Sequence, residues 1–326
     1  MPMIRAMRLL GALENGTTTG TELESLLSDG GRLGEFRVLM GLRGQATRLA
    51  ASGVATAAIG QSAKAANALA ASPVASAALV KSVFGMNGIT GGSAGRNAIA
   101  NTPSLLSLVR ASDIASVKYT AGLAGLNPEN YDSGAALAAS STAMNAIITS
   151  PAALAELVIS LAAMAAVAAS ASAMTTVAAS SVAMAAVLGS SVAKMALFNS
   201  DAAIAAISGS STALAAIRTN AKYATYTHDS GLRPNQNPAL IGPVLSGSYI
   251  AVGVSTTDTT TGQTITVTTL RSGSSRTNTH VADATSVSSA AALGVLCMPM
   301  VAPFAINSTD GSSGPLVYVG MLRCDV

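Results

Sequence analysis

Residues 140–219 read, in blocks of ten, SSTAMNAIIT SPAALAELVI SLAAMAAVAA SASAMTTVAA SSVAMAAVLG SSVAKMALFN SDAAIAAISG SSTALAAIRT. Every block begins with serine, and has alanine at its fourth residue, a long side chain at its fifth and an aliphatic residue at its eighth. The fifth residue is Met, Leu or Ile except in one block, which has Lys194. A strict internal period predicts a repetitive structure in which neighbouring units bury a continuous core.

The ten-residue length favours one short helix in each block over a single continuous helix. An α-helix turns about 100° per residue, so a period of ten drifts out of step with a straight helix. Serine is a good N-cap and proline is favoured at the first helical position, and Ser150-Pro151 places the two together. Because a two-turn helix is unstable alone, we expect the blocks to stack, either as a solenoid within one chain or as a bundle between chains. A β-solenoid is disfavoured, because Ala and Met are poor strand formers and the pattern does not alternate.

The pattern assigns structural roles to two sets of residues, and the sequence suggests no catalytic, cofactor-binding or metal-binding residue. The predicted core residues, which would pack within a solenoid or between chains, are Met144, Ile147, Leu154, Leu157, Met164, Val167, Met174, Val177, Met184, Val187, Leu197, Ile204, Ile207, Leu214 and Ile217. The predicted helix caps are Ser150, Ser160, Ser170, Ser180, Ser190, Ser200 and Ser210.

A degenerate form of the pattern extends upstream, so that residues 42–219 form the predicted helical array, with a phase slip near 132–139. Residues 1–41 carry denser charge and are predicted to be a helical docking head; a helical cap that only seals the end of the array is the equally favoured alternative. Within them, a capping box is expected at Thr21–Glu24 and a helix end at Asp29–Gly31. A second amphipathic helix is predicted over Arg32–Arg48.

The composition changes again after residue 219. Prolines and asparagines make residues 220–243 a predicted linker. Residues 244–326 are predicted to be a β-rich domain, because Val- and Thr-rich segments such as Tyr249–Val254 and Leu316–Leu322 alternate with turn-rich segments. The predicted fold class is therefore α+β multi-domain: an N-terminal helical head, a long array of short capped helices in ten-residue repeats, and a C-terminal antiparallel β-sandwich.

The composition favours neither a membrane-spanning segment nor nucleic-acid binding. Only 10% of residues are charged, and none between Glu156 and Lys194 is charged. That stretch is long enough for a membrane span, but serine recurs through it and aromatic belts are missing, so a span is not expected. A net charge of +3 with scattered basic residues does not indicate nucleic-acid binding. The first ten residues lack the apolar core of a secretory signal, so Cys297 and Cys324 are as readily free thiols as a disulfide.

The sequence offers only weak candidates for catalytic or metal- and phosphate-binding residues. His228 and His280 each stand without metal-ligand neighbours. Ser191 and Lys194 match a Ser-x-x-Lys spacing, but the companion motifs are missing. The glycine-rich stretch Gly91–Gly95 lacks the preceding strand and the lysine of a phosphate loop.

The repeats resemble tailed-bacteriophage virion fibres. Ser170–Ala179 and Ser180–Val187 are similar to the Ala/Ser/Met decads of phage tail-fibre or collar-fibre proteins, and Gly30–Phe36 before the array is also phage-like. The resemblance covers about residues 20–219 and rests on rhythm and composition. It implies a homotrimer, an N-terminal end attached to other virion proteins, and a β-rich distal end.

We therefore expect a non-enzymatic structural protein of the virion, without a cofactor, that presents its C-terminal region for attachment to a glycan or protein of the host surface. The alternatives are a bacterial surface or injection-apparatus adhesin of the same shape, and a membrane-embedded scaffold. An enzyme such as a glycan hydrolase would have to draw its carboxylates from Asp258, Asp283 and Asp310, which are more typical of turns.

Overall fold

The computed structural model of the chain describes residues 2–229, 239–240, 248–256, 263–271, 274–282, 298–301, 305–308 and 316–326. The chain forms two compact units, Met1–Val167 and Ala168–Val326. The described residues of the first unit contain helices and no strands, whereas the second unit has helices followed by strands.

The helices of the first unit are mostly two to three turns long. They are α1 (Pro2–Glu14), α2 (Gly20–Leu26), α3 (Gly30–Gly41), α4 (Arg43–Ala51), α5 (Gly53–Gln61), α6 (Ala63–Ala70), α7 (Pro73–Leu79), α8 (Val83–Gly91), α9 (Ser93–Ala100), α10 (Pro103–Ala111), α11 (Asp113–Leu123), α12 (Gly134–Ala139), α13 (Ser141–Thr149) and α14 (Pro151–Ile159), with a 3-10 turn at Pro128–Asn130. The next helix, α15 (Leu161–Ala169), spans the boundary between the units.

Many consecutive helices are joined by a single residue in an extended conformation. Ser150, with φ −102° and ψ 106°, ends α13 and begins α14. Its N–H donates to the Ile147 carbonyl at 3.1 Å, and its Oγ accepts from the Ala153 N–H at 3.4 Å. The chain bends there by 109°. Turns of this size bring the chain back over itself after three helices.

Many helices of the array accordingly pack against the third helix along the chain. In the first unit α4 packs on α7, α5 on α8, α6 on α9 and α11 on α14. The blocks therefore stack within one chain, which is the solenoid alternative of the two arrangements expected from the sequence.

Glycines allow two of these helices to approach unusually closely. A Cβ on Gly88 of α8 would lie 2.3 Å from Thr56 Oγ1 and 2.6 Å from the Ala57 nitrogen of α5. A Cβ on Gly92 would lie 2.0 Å from the Gly60 carbonyl oxygen. The glycine-rich stretch that loosely resembled a phosphate loop is thus the end of α8 and the start of α9, where backbone packs against backbone.

The N-terminal helices begin and end elsewhere than predicted. The capping box is formed by Thr19 and Glu22, two residues before the predicted one. Asp29 opens α3, because its side chain accepts from the Arg32 N–H at 3.0 Å, and so it does not mark a helix end. The helix predicted over Arg32–Arg48 is two helices, because the chain turns at Leu42 (φ −90°, ψ 111°) just as it does at the serines.

The second unit continues with short helices and then forms strands. Its helices are α16 (Ala171–Ala179), α17 (Ser181–Gly189), α18 (Ser191–Phe198), α19 (Asp201–Ser208) and α20 (Ser211–Arg218). Here too α16 packs on α19 and α17 on α20. The strands are β1 (Tyr223–Asp229), β2 (Ala239–Leu240), β3 (Ser248–Thr256), β4 (Gln263–Arg271), β5 (Ser274–Ala282), β6 (Met298–Val301), β7 (Ala305–Ser308) and β8 (Leu316–Arg323).

The strands pair antiparallel in two sheets, with orders β1-β8-β3-β6 and β2-β7-β4-β5. Strand β1 lies within the segment predicted to be a linker and pairs from Tyr223–Leu322 to Asp229–Leu316. The register of β3 on β8 shifts between Ala251 and Gly253.

The predicted α+β fold class with a C-terminal β-sandwich is wrong. The structure is mostly helical, and no β-sandwich is seen among the described residues. The prediction inferred a sandwich from the number of Val- and Thr-rich segments. Such segments indicate strands one at a time, but they carry no information on whether two sheets pack face to face.

Candidate functional site

The serines that open several of the blocks, among them Ser200 and Ser210, make two hydrogen bonds with different helices. In the second unit, Ser210 Oγ accepts from the Ala213 N–H at 3.1 Å and donates to the Ala178 carbonyl at 2.6 Å, 32 residues earlier. The first bond satisfies an N–H at the start of its own helix, and the second a carbonyl at the end of the helix on which it packs. A hydroxyl can do both because it is a donor and an acceptor, whereas an ionised Asp only accepts.

The same 32-residue step recurs in both units, and we call this set of bonds the serine ladder. Its members are Ser72 to Met40, Ser82 to Ala50 and Ser112 to Val80 in the first unit, and Ser200 to Ala168 and Ser210 to Ala178 in the second. After the last block Asn220 takes the place of serine, since it accepts from the Lys222 N–H at 2.9 Å and donates to the Leu188 carbonyl at 3.3 Å.

The structure places all the predicted caps at helix starts. Each accepts from the N–H of the alanine three residues later, at 3.1–3.4 Å, for Ser150, Ser160, Ser170, Ser180, Ser190, Ser200 and Ser210. Sequence reasoning identified this cap and missed the donor half of the serine ladder. The signal was available in the sequence, because serine, which can also donate, is kept strictly in the regular blocks although Asp, which only accepts, would cap equally well.

The structure also buries every predicted core residue, with exposure of at most 8%. These residues contact helices of the same chain, so the core is filled without a second copy. The ninth position of the block was not predicted to be part of the core, but in several blocks its residue is buried, as for Val158, Leu188 and Phe198. That position lies four residues after the fifth and therefore on the same helical face.

Lys194 occupies a core position of the second unit and is 3% exposed. Its Nζ donates to the Val326 carbonyl oxygen, which ties α18 to the segment after β8. Burial lowers the pKa of Lys194, and it raises the pKa of the neighbouring Cys324 thiol to about 12.

A second buried lysine lies where the repeat slips, in the first unit. Lys118 on α11 is 0% exposed, and its Nζ donates to the Pro128 carbonyl at 2.7 Å and to Asp132 Oδ1 at 2.6 Å. The ion pair fastens the segment between α11 and α12 to the helices. Nothing in the ten-residue pattern predicted it, because the loop and its carboxylate lie outside the repeat.

The N-terminal helices enclose a cleft of about 550 Å³ between α1, α2 and α3, which we call the N-terminal cleft. Leu9 and Leu26 are among its apolar lining residues. Arg5 and Arg8 on α1 and Arg32 on α3 line it as well. All three arginines are exposed, so their guanidinium groups are available to a ligand in the cleft.

Most of the acidic side chains around this cleft are already bonded. Glu14 pairs with Arg48 at 2.6 Å, and Glu24 pairs with Lys64 at 2.9 Å. Glu22, which lines the cleft, accepts from the Thr19 N–H at 2.8 Å, and this bond lowers its pKa. The arginines of the cleft, in contrast, make no ion pair within the described part of the chain.

The structure does not bring the weak candidates for catalytic or metal-binding residues together among the described residues. Ser191 is exposed at the start of α18 whereas Lys194 points into the core, so the two form no pair. His228 lies in β1 opposite Val317, and His280 in β5 opposite Ile265. Within the described ranges no group of three His, Cys, Asp or Glu side chains is placed to hold a metal ion. Asp258, Asp283, Asp310 and Cys297 lie outside the described residues, and Cys324 is a buried free thiol.

The long uncharged stretch is broken into short helices. No single helix of the described chain is both long and apolar enough to cross a membrane, although three sharply bent pairs of helices would meet those criteria jointly. Ser181–Gly189 with Ser191–Phe198 is such a pair, with a bend of 103°.

Comparison with known proteins adds no relative: no protein-family model matches the chain, and no curated protein has a similar sequence.

Proposed function

We propose that the chain is a structural virion fibre protein that attaches to a phage particle by its N-terminal part and presents its C-terminal residues to the host surface. The observation that carries the proposal is the serine ladder, because it turns a ten-residue repeat into a stack that can be lengthened block by block. Each added block contributes its own cap and its own buried face, and blocks on the serine ladder also contribute an acceptor for a later serine. Such a stack provides length without an active site, which is what a fibre requires.

The N-terminal cleft supports attachment at that end, because it is concave and carries arginines without ion pairs. The resemblance of the repeats to phage tail-fibre and collar-fibre proteins supports the virion as the location. A homotrimer remains part of the proposal. Since the core residues are used within one chain, the contacts between copies would have to come from the outer residues of the blocks.

The first experiment is light scattering after size exclusion of the full chain in detergent-free buffer, with negative-stain images of the same fractions. A discrete, elongated species near three chains supports a trimeric fibre. An elongated single chain supports the fibre but removes the trimer. A compact globular monomer contradicts the fibre, and aggregation that only detergent reverses favours the membrane-embedded scaffold.

The second experiment locates the chain. Purified virus particles from the source culture are analysed by mass spectrometry and labelled with gold-conjugated antibody against residues 244–326. Labelling at the ends of projections supports the proposed orientation. Absence of the chain from the particles, with its recovery on the bacterial surface, contradicts the virion proposal and favours the adhesin.

A further inference from the structure

We propose that the N-terminal cleft binds a short acidic peptide segment of a partner protein. The inference deepens the proposed attachment at the N-terminal end, since it names the chemistry of what is bound there. It rests on the shape of the cleft, on its charges, and on how the neighbouring charges are already used.

Several of the acidic residues near the cleft are bonded to other groups, whereas the arginines of the cleft make no ion pair among the described residues. Residues 1–48 hold six arginines and five acidic residues, so the overall balance is nearly neutral. Glu14 and Glu24 are bonded to cations of α4 and α6. Glu22 and Asp29 are engaged by backbone N–H groups at the starts of α2 and α3. The lining of the cleft therefore sets three guanidinium groups, of Arg5, Arg8 and Arg32, against the two carboxylates of Glu22 and Glu35, which leaves a small positive excess.

The positions of the arginines suit carboxylates that are spaced along a chain. Arg5 and Arg8 are three residues apart on α1 and so lie on one face of that helix. Arg32 lines the same cleft from a second helix, α3. A guanidinium presents a planar fork of donors that binds a carboxylate through two parallel hydrogen bonds. Three such forks on two walls can hold side chains from successive residues of one peptide.

The rest of the lining favours a peptide over a dense polyanion. Leu9 and Leu26 supply an apolar surface on which an aliphatic side chain can pack. Glu22 and Glu35 also line the cleft, and their carboxylates would repel closely spaced phosphates. A peptide that alternates acidic and aliphatic residues can place its carboxylates at the arginines and its apolar groups on the leucines.

The test uses the full chain and a fluorescein-labelled peptide of the sequence Glu-Leu-Glu-Glu-Leu-Glu, followed by fluorescence anisotropy at low salt. We expect saturable binding that weakens as salt is added, because the contacts are between exposed charges. The peptide with Gln in place of every Glu should not bind. Arg8→Gln and Arg32→Gln should each weaken binding about tenfold, the loss of one charge-assisted contact.

Matched controls come from the same helices. Arg37→Gln removes an exposed arginine of α3 that does not line the cleft, and it should leave the affinity within about twofold. Glu35→Gln should strengthen binding, since it removes a repelling carboxylate from the wall. All four positions are outside the core, and circular dichroism confirms that each variant is folded.

Three results would overturn the inference. One is the lack of saturable binding up to about 1 mM peptide. Another is equal weakening by Arg37→Gln and Arg8→Gln, which would show a diffuse electrostatic effect. The third is displacement of the peptide by inorganic phosphate or by a 20-nucleotide single strand at lower concentration than by unlabelled peptide. Each is independent of whether the chain is found on virions, so this inference and the proposed function fail separately.

Discussion

Two buried lysines, one in each unit, are held in different ways. Lys118 lies beside the loop that interrupts the repeat and has both a carboxylate and a carbonyl as partners. Lys194 lies inside a regular block, at a position that holds Met, Leu or Ile in its neighbours, and donates to the Val326 carbonyl. In both units, a lysine is buried in the core where an oxygen atom from a segment outside its own block accepts a hydrogen bond from its Nζ. The two differ in what they do: Lys118 fastens an irregular loop, whereas Lys194 stands in the place of an apolar residue of the repeat.

The largest effect is expected from Lys118→Ala. The change removes a fully buried side chain, leaves a cavity, and leaves the Pro128 carbonyl without its donor. We expect a loss of about 3 kcal/mol in the free energy of unfolding. Denaturant unfolding measures it, and hydrogen exchange should show faster exchange in residues 124–133.

The control for this variant is Lys64→Ala, which breaks an ion pair with Glu24 whose side chains are 39% and 34% exposed. An exposed pair contributes less than about 1 kcal/mol. If the two variants were equally destabilised, Lys118 would be an ordinary surface pair and the anchoring role would be wrong.

Loss of one serine of the serine ladder should have an intermediate effect on the free energy of unfolding. Ser210→Ala removes the N-cap of α20 and the donor to the Ala178 carbonyl. We expect a loss of about 1–2 kcal/mol in the free energy of unfolding, because two end groups lose their partners. Thermal and denaturant unfolding measure the change.

Two further variants separate the cap from the donor. Ser210→Asn should restore part of the stability, because Asn220 makes both kinds of bond one block later. Ser211→Ala, at an exposed neighbouring position, should change the stability by less than about 0.5 kcal/mol. Equal losses in Ser210→Ala and Ser211→Ala would contradict the serine ladder.

Period and capping chemistry were enough to predict short helices, and the structure has them from Arg43 to Arg218. They were not enough to choose between stacking within a chain and between chains. That choice depends on the bend at each junction, such as the 109° turn at Ser150, which is a property of one residue's backbone. The N-terminal cleft could not be predicted from the sequence for another reason. It is formed by three helices that pack together, and a local sequence pattern does not show which arginines will lack ion-pair partners.

A smaller effect is expected from Lys194→Met, which restores the residue type of the neighbouring blocks. Methionine has similar length and no charge to desolvate, and replacing a buried polar group by an apolar one of similar shape is often close to neutral. We expect a change of less than about 1 kcal/mol in the free energy of unfolding. Lys118→Met is the matched comparison and should lose more, because it also releases Asp132. A loss for Lys194→Met as large as that for Lys118→Met would show that the bond to Val326 matters as much as the ion pair.

The pH dependence of the free energy of unfolding provides the last contrast, through Lys194 and Cys324. Burial raises the pKa of Cys324 to about 12, so the folded state keeps a proton that the unfolded chain releases near pH 8.5. Its contribution is therefore present below about pH 8.5 and is lost as the pH rises towards 12. Burial lowers the pKa of Lys194, and Lys222 adds to this shift, whereas Cys324 and Asp325 oppose it. The contribution of Lys194 to stability therefore has the opposite sign and rises with pH up to about 10.4. The two contributions oppose each other, so Lys194→Met should steepen the alkaline loss of stability. Cys324→Ala should flatten it, and denaturant unfolding from pH 7 to 11 measures both slopes. Parallel slopes in wild type and Lys194→Met would mean that this lysine titrates alike in the folded and unfolded chain, and the contrast between the two lysines would then rest on packing alone.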